Sequence, residues 1–141
     1  MSDKSFIDTN LFLYSYDENE VEKKHKSIVF LEKIRKQGYP LISTQTIGEF
    51  FNIATKKFKI EKDIVIGICE QISSQYPVYE ISVENVFHAL QISKDSQLSY
   101  WDSLIVAVAS DAGCSTVYSE DLSDGQIISG VRIVNPFAEA S

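Results

Sequence analysis

Four carboxylates stand where apolar segments of this sequence give way to turns or to the starts of helices. They are Asp8, Glu49, Asp102 and Asp121. If the fold is a parallel sheet covered by helices, all four meet at one edge of that sheet. Carboxylates that share a crevice repel one another unless protons or hard cations neutralise them, and oxygen ligands suit Mg²⁺ or Mn²⁺. The pattern therefore predicts metal-assisted hydrolysis.

Each carboxylate also has a structural explanation when it is taken alone. Asp8 suits the N-cap of a helix, and Asp121 lies in a polar turn where acidic residues are common. Two more fit the spacing of a capping box, in the pairs Thr46 with Glu49 and Ser99 with Asp102. A cap needs one carboxylate at one helix end and does not need four to converge, so their joint placement favours a site.

Predicted strands alternate with predicted helices along the chain. The strands fall at 5–7, 40–43, 77–81, 116–118 and 131–134, and helical segments cover 11–13, 20–36, 47–58, 61–74, 83–90 and 101–112. This order favours βαβ units. We therefore predict one domain, 1–141, folded as a three-layer α/β/α sandwich around a central parallel five-stranded sheet. Trp101 continues the apolar stripe of Leu104, Ile105 and Val108, so we place it in the core, and this placement disfavours a role in stacking on a nucleobase.

Charge is distributed unevenly along the 141 residues. The net charge of −7 argues against a protein that holds nucleic acid by bulk electrostatics. All but two of the 13 Lys and Arg residues precede residue 71. Lys23, Lys24 and Lys26 lie on one predicted helix, which is either a solvated face or a surface that contacts RNA phosphates.

Other chemistries find little support. Cys69 and Cys114 lie in apolar helical patterns and are predicted to be buried free thiols, while His25 and His88 are predicted to be structural. No phosphate-cradling glycine loop or nucleophile elbow is present. No apolar run reaches the roughly 20 residues needed to span a bilayer, and no export signal opens the chain. We expect a cytoplasmic protein with no membrane partner.

The four acidic motifs, in their order and spacing, resemble the PIN domain, and most specifically the VapC-type ribonuclease toxins of bacterial toxin–antitoxin pairs. The resemblance runs from Phe6 to Phe137. Its motifs are Phe6-Ile7-Asp8-Thr9-Asn10, Ile47-Gly48-Glu49-Phe50, Tyr100-Trp101-Asp102-Ser103-Leu104-Ile105, Tyr118-Ser119-Glu120-Asp121-Leu122 and the closing segment 130–137.

This resemblance implies a Mg²⁺- or Mn²⁺-dependent endoribonuclease that forms a homodimer and is inhibited by a cognate antitoxin covering the active site. It implies that the four carboxylates are the catalytic metal ligands. Asn10 and Ser119 match polar positions that support the cleft in the family. Asp124 matches the last acidic position, which varies.

Several alternatives stay open on the residues alone. A PIN-type nuclease acting in RNA maturation or on DNA flaps has the same motifs, as does a catalytically inactive PIN-like binding module. A receiver-like phosphoacceptor is disfavoured, because it needs a lysine after its last strand and the last lysine here is Lys94, in a predicted helix. An Asp-x-Asp phosphatase is disfavoured because Asn10 stands where the second Asp belongs.

Overall fold

The computed structural model describes residues 3–138, so both ends of the predicted domain, 1–2 and 139–141, lie outside the described residues. Helices and strands alternate along the described chain. In order they are β1 (Lys4–Ile7), α1 (Thr9–Tyr14), α2 (Val21–Gln37), β2 (Tyr39–Ser43), α3 (Thr44–Lys56), α4 (Lys62–Gln75), β3 (Val78–Tyr79), α5 (Val83–Ser96), α6 (Tyr100–Asp111), β4 (Cys114–Tyr118), β5 (Ile127–Ile128) and β6 (Val131–Val134).

The strands form one sheet in the order β3-β2-β1-β4-β6-β5. Strand β1 pairs in parallel with both β2 and β4. The chain therefore first adds β2 and β3 on one side of β1, and later adds β4, β5 and β6 on the other side. Ligands in such sheets bind beyond the carboxyl ends of the strands where the order reverses. Here that point lies between β1 and β4.

The predicted α/β sandwich with a largely parallel sheet is confirmed, with one extra strand. Strand β5 pairs antiparallel with β6. The two strands are joined at Ser129 and Gly130, which both have positive φ, 52° and 80°. Positive φ at both central residues is the geometry of the tight turn that suits a twisted hairpin. A two-residue strand is too short to leave a periodic signal in the sequence.

Two apolar clusters cover the two faces of the sheet, because successive residues of a strand point to opposite faces. Phe6 lies in the cluster formed with α5 and α6, whereas Ile7 lies in the cluster formed with α1, α2, α3 and α4. Leu41 and Ile42 divide in the same way. The sheet is therefore covered on both faces, and the ends of its strands are where a site can form.

Helix starts differ from the prediction at one of the two capping boxes. Helix α3 begins at Thr44, and the Thr46 hydroxyl accepts a hydrogen bond from the backbone N–H of Ser43 at 3.1 Å. The predicted capping box, with Thr46 as N-cap and Glu49 as its partner, is therefore wrong. Ser99 is confirmed as a cap, since its hydroxyl accepts from the backbone N–H of Asp102 at 3.1 Å.

The core position predicted for Trp101 is wrong, because its side chain is 62% exposed. Helix α6 is buried on all sides from Ser103 to Ala109, and Trp101 precedes that stretch. Cys69 and Cys114 are buried free thiols, as predicted. None of the helices in residues 3–138 is both long and apolar enough to cross a membrane.

Candidate active site

Asp8 lies at the switch point of the sheet, directly after β1. Its backbone N–H donates to the carbonyl of Tyr118, the last residue of β4, at 3.0 Å. Its Oδ1 accepts from the backbone N–H of Thr9 at 2.7 Å and so caps α1, while its Oδ2 accepts from the Ser119 hydroxyl at 2.7 Å. The carboxylate of Asp8 therefore both caps α1 and belongs to the candidate site.

Burial is the dominant influence on the ionisation of Asp8. The side chain is 5% exposed, and desolvation raises its pKa from 3.8 to about 6. The hydrogen bonds from Ser119 and Thr9 lower the pKa, while the nearby charges of Asp121 and Glu49 raise it. Asp8 therefore carries a costly negative charge that a bound cation would relieve.

Glu49 reaches the same edge from α3. The Thr9 hydroxyl donates to its Oε1 at 2.7 Å, and Gln45 Nε2 donates to its Oε2 at 3.2 Å. Gln45 Nε2 also lies 3.4 Å from the backbone carbonyl of Trp101. Neighbouring residues of α1 and α3 thus hold Glu49 beside Asp8 and link it to the start of α6.

Asp121 approaches from the loop after β4. Asn10 Nδ2 donates to its Oδ2, and its backbone N–H donates to the Ser119 hydroxyl at 3.2 Å. Partial desolvation raises the pKa of Asp121, and the charges of Glu120 and Asp102 raise it further. All four predicted carboxylates are thus linked by hydrogen bonds or by charge at one edge of the sheet.

A second charged group borders the site. Lys23 Nζ lies 2.6 Å from Glu120 Oε2, and the Tyr14 hydroxyl donates to Glu120 Oε1 at 2.6 Å. Partial burial works to raise the pKa of Glu120, but the hydrogen bonds from Lys23 and Tyr14 outweigh it and lower that pKa. Lys23 is therefore held by an ion pair next to Asp121.

The remaining predicted positions have partners outside this group. Asp124 Oδ1 accepts from the backbone N–H of Asn135 at 2.9 Å, which ties the loop after β4 to the end of β6. Lys24 is paired with Glu18, and Lys26 with Glu22.

A family model described as the PIN domain matches residues 5–123, which include all four carboxylates. This chain belongs to the PIN domain family. PIN domains are generally nucleases, and they generally use divalent metal ions. No curated protein matches the chain in sequence.

Solved structures that share the fold include a toxin–antitoxin complex from Klebsiella pneumoniae. Its TM-score is 0.68 at 18% identity, with 94% of this chain and 98% of that chain covered. VapBC2 from Rickettsia felis, bound to a DNA fragment from its promoter, has a TM-score of 0.68 at 15% identity, covering 92% and 96%. VapC20 from Mycobacterium tuberculosis, a toxin that cleaves the sarcin–ricin loop, has a TM-score of 0.64 at 14% identity, covering 83% and 89%. At these identities the likeness establishes the fold.

The donor set of this PIN domain fits a hard divalent cation. Among residues 3–138, no three or more His, Cys, Asp or Glu side chains are already placed to hold a metal ion. The carboxylates are nevertheless close enough to raise the pKa of Asp8 and Asp121, and a carboxylate oxygen that accepts one hydrogen bond keeps another lone pair for a metal. The buried Oε1 of Gln45 also lacks a hydrogen-bond partner among the described residues. It is a further oxygen acceptor beside Glu49.

Sequence reasoning about this PIN domain missed Thr9 and Gln45. Gln45 stands four residues before Glu49 on α3, and side chains at that spacing face one another on a helix, so the signal was present. Thr9 directly follows Asp8, but its bond to Glu49 joins residues 40 apart in sequence. The ion pair between Lys23 and Glu120 spans still more of the chain and leaves no local signal.

Proposed function

We propose that this chain is a metal-dependent endoribonuclease, the toxin of a toxin–antitoxin pair, and that the whole chain acts as one nuclease domain. The observation that supports this best is the buried carboxylate of Asp8 at the switch point of the sheet, with the charges of Asp121 and Glu49 beside it. Burying a carboxylate close to other carboxylates costs free energy, and groups perturbed in this way cluster at functional sites.

Asp8, Asp102 and Asp121 are the proposed ligands of Mg²⁺ or Mn²⁺, and Glu49 completes the set or orients water. The bound ion would supply a water of lowered pKa and would stabilise negative charge on the scissile phosphate. Residues of the chain keep these groups in place: Ser119 fixes Asp8, and Asn10 fixes Asp121.

Glu49 is the proposed acceptor for the proton of the attacking water. Thr9 and Gln45 each donate to one of its two oxygens, so the carboxylate is oriented before substrate arrives. General acid–base catalysis depends on such positioning, since the acceptor must lie within hydrogen-bond reach of the proton it takes.

Cleavage of defined RNAs by the purified protein in Mg²⁺ or Mn²⁺ tests the proposal. We expect EDTA to stop cleavage and Asp8→Asn to slow it by about 100-fold or more, because the substitution removes a charged ligand. Asp95→Asn is the matched control. It makes the same chemical change at an exposed residue near the end of α5, and its amide oxygen can still accept the hydrogen bond from Gln91.

Equal activity in wild type and Asp8→Asn would contradict the assignment of the site. Absence of cleavage of any RNA or DNA by the folded wild type, together with no Mn²⁺ binding by calorimetry, would instead favour an inactive binding module. Cleavage of flapped DNA in preference to RNA would favour the maturation or flap-processing alternative.

We also propose an antitoxin partner, a homodimer and a cytoplasmic location. The support is the fold shared with the toxin–antitoxin complex from Klebsiella pneumoniae. Light scattering of the purified chain measures the dimer directly, and a monomer at micromolar concentration would contradict it. Inhibition of cleavage by a small DNA-binding protein encoded beside this chain would identify the antitoxin.

A further inference from the structure

Trp101 is a large aromatic side chain left exposed at the start of α6, immediately before Asp102. We propose that its indole ring is a stacking surface for a base of the RNA strand next to the scissile phosphate. This inference rests on the proposed ribonuclease function and adds to it a residue that binds substrate. It concerns the only tryptophan in the chain.

The backbone of Trp101 is tied to the carboxylate group. Gln45 Nε2 lies 3.4 Å from the Trp101 carbonyl and 3.2 Å from Glu49 Oε2. The charge of Asp102, the next residue, acts on Asp121. The backbone that carries the indole therefore lies at the rim of the acidic site.

The indole ring of Trp101 contacts one aromatic neighbour and is otherwise largely exposed. Tyr100 packs against the apolar cluster of α5 and α6, and its ring meets the indole edge-to-face with centroids 4.9 Å apart and planes at 72°. Even so, 62% of the Trp101 side chain is exposed. A tryptophan usually contributes a large buried apolar area, and this one leaves most of that area available to a ligand.

The charge of the protein gives stacking a particular importance. The net charge is −7, and Lys23, which borders the site, is paired with Glu120. Bulk electrostatics therefore disfavour RNA binding, and uncharged contacts gain in importance. Stacking of a base on an aromatic ring supplies such a contact, and it tolerates any base.

The single tryptophan makes the test direct, since all indole emission reports on this residue. The Asp8→Asn protein, in which cleavage is expected to be slow, is titrated in Mg²⁺ with a short single-stranded RNA. Fluorescence anisotropy of a labelled RNA measures binding in parallel. We expect quenching of the indole emission that saturates with binding, and much weaker quenching by an abasic strand of the same length.

Substitutions separate stacking from a structural role. In the Asp8→Asn background we expect Trp101→Ala to weaken RNA binding by about 5- to 100-fold, and Trp101→Phe to restore most of it. In the active protein, Trp101→Ala should raise KM while kcat changes little. Tyr39→Ala is the control, because Tyr39 is 59% exposed and begins β2, at the opposite end of that strand from the carboxyl edge.

RNA that binds by anisotropy without changing the indole emission, or with unchanged affinity for Trp101→Ala, would overturn this inference and leave the nuclease intact. Unchanged RNA affinity together with loss of a dimer in Trp101→Ala would also overturn it, and would place the ring between protomers. If wild type neither binds nor cleaves RNA, the proposed function fails and this inference fails with it.

Discussion

At the scale of a single residue, the negative charge of Asp8 lowers the stability of the metal-free protein, although the proposed function requires that charge. The pKa of Asp8 rises from 3.8, the ordinary value for an aspartate, to about 6 in the fold. Between pH 3.8 and pH 6 the folded state therefore holds a proton that the unfolded chain has released. Stability therefore falls as pH rises through this window, by up to about 3 kcal/mol from this residue, and the loss is complete above pH 7. The energy is recovered when a cation neutralises the carboxylate.

Asp8→Asn should accordingly stabilise the metal-free protein at pH 7.5, by about 1–3 kcal/mol, and change it little at pH 4. Urea unfolding in EDTA at several pH values measures this difference. Mg²⁺ or Mn²⁺ should raise the stability of wild type more at pH 7.5 than at pH 5, since a ligand must lose its proton to bind metal. A stability difference that does not vary with pH would contradict the assigned pKa.

At the scale of elements, the β5–β6 hairpin is fastened to the helices by a polar network. His88 Nδ1 lies 2.9 Å from Asp111 Oδ1, and His88 Nε2 lies 2.9 Å from the Ser129 hydroxyl. Asn85 is buried, donates to Asp111 Oδ2 at 2.6 Å and accepts from the backbone N–H of Ser82 at 2.7 Å. One side chain therefore caps α5 and anchors the end of α6.

Asn85→Ala should lower the free energy of unfolding by about 1–3 kcal/mol, because it removes the hydrogen bond to Asp111 and leaves the Ser82 backbone N–H without its partner in the capping box. Chemical denaturation of the metal-free protein measures the loss. Gln91→Ala, at an exposed position of the same helix, is the control and should change stability by less than about 0.5 kcal/mol. Equal effects of the two substitutions would mean that the network contributes nothing.

The elements themselves were largely predictable, while the contacts between them were not. Local apolar runs define where β1 and β4 end, and the parallel order that they imply brings Asp8 and Asp121 to one edge. Trp101 was misplaced because α6 is buried on all sides, so periodicity does not indicate where its first turn meets solvent. Links such as His88 with Ser129 depend on packing between distant segments, and no local pattern encodes them.

At the scale of the whole molecule, the proposed action on RNA has to be reconciled with a net charge of −7. The ion pair of Lys23 with Glu120 adds to that charge problem, because it occupies a cation at the border of the site. Glutamates hold Lys24 and Lys26 in the same way. Phosphate contacts through these lysines would then be few.

We therefore expect RNA binding by the Asp8→Asn protein to depend only weakly on salt, with a slope of log affinity against log salt shallower than about −2. Glu120→Gln should free Lys23 for a phosphate and steepen that slope by about 0.7, the effect of one contact with single-stranded RNA. Glu84→Gln is the matched control, since it removes the same charge from an exposed position in the first turn of α5. Fluorescence anisotropy across a salt series distinguishes the two variants. If both raise affinity equally and neither changes the slope, the gain comes from net charge alone and Lys23 does not contact the substrate.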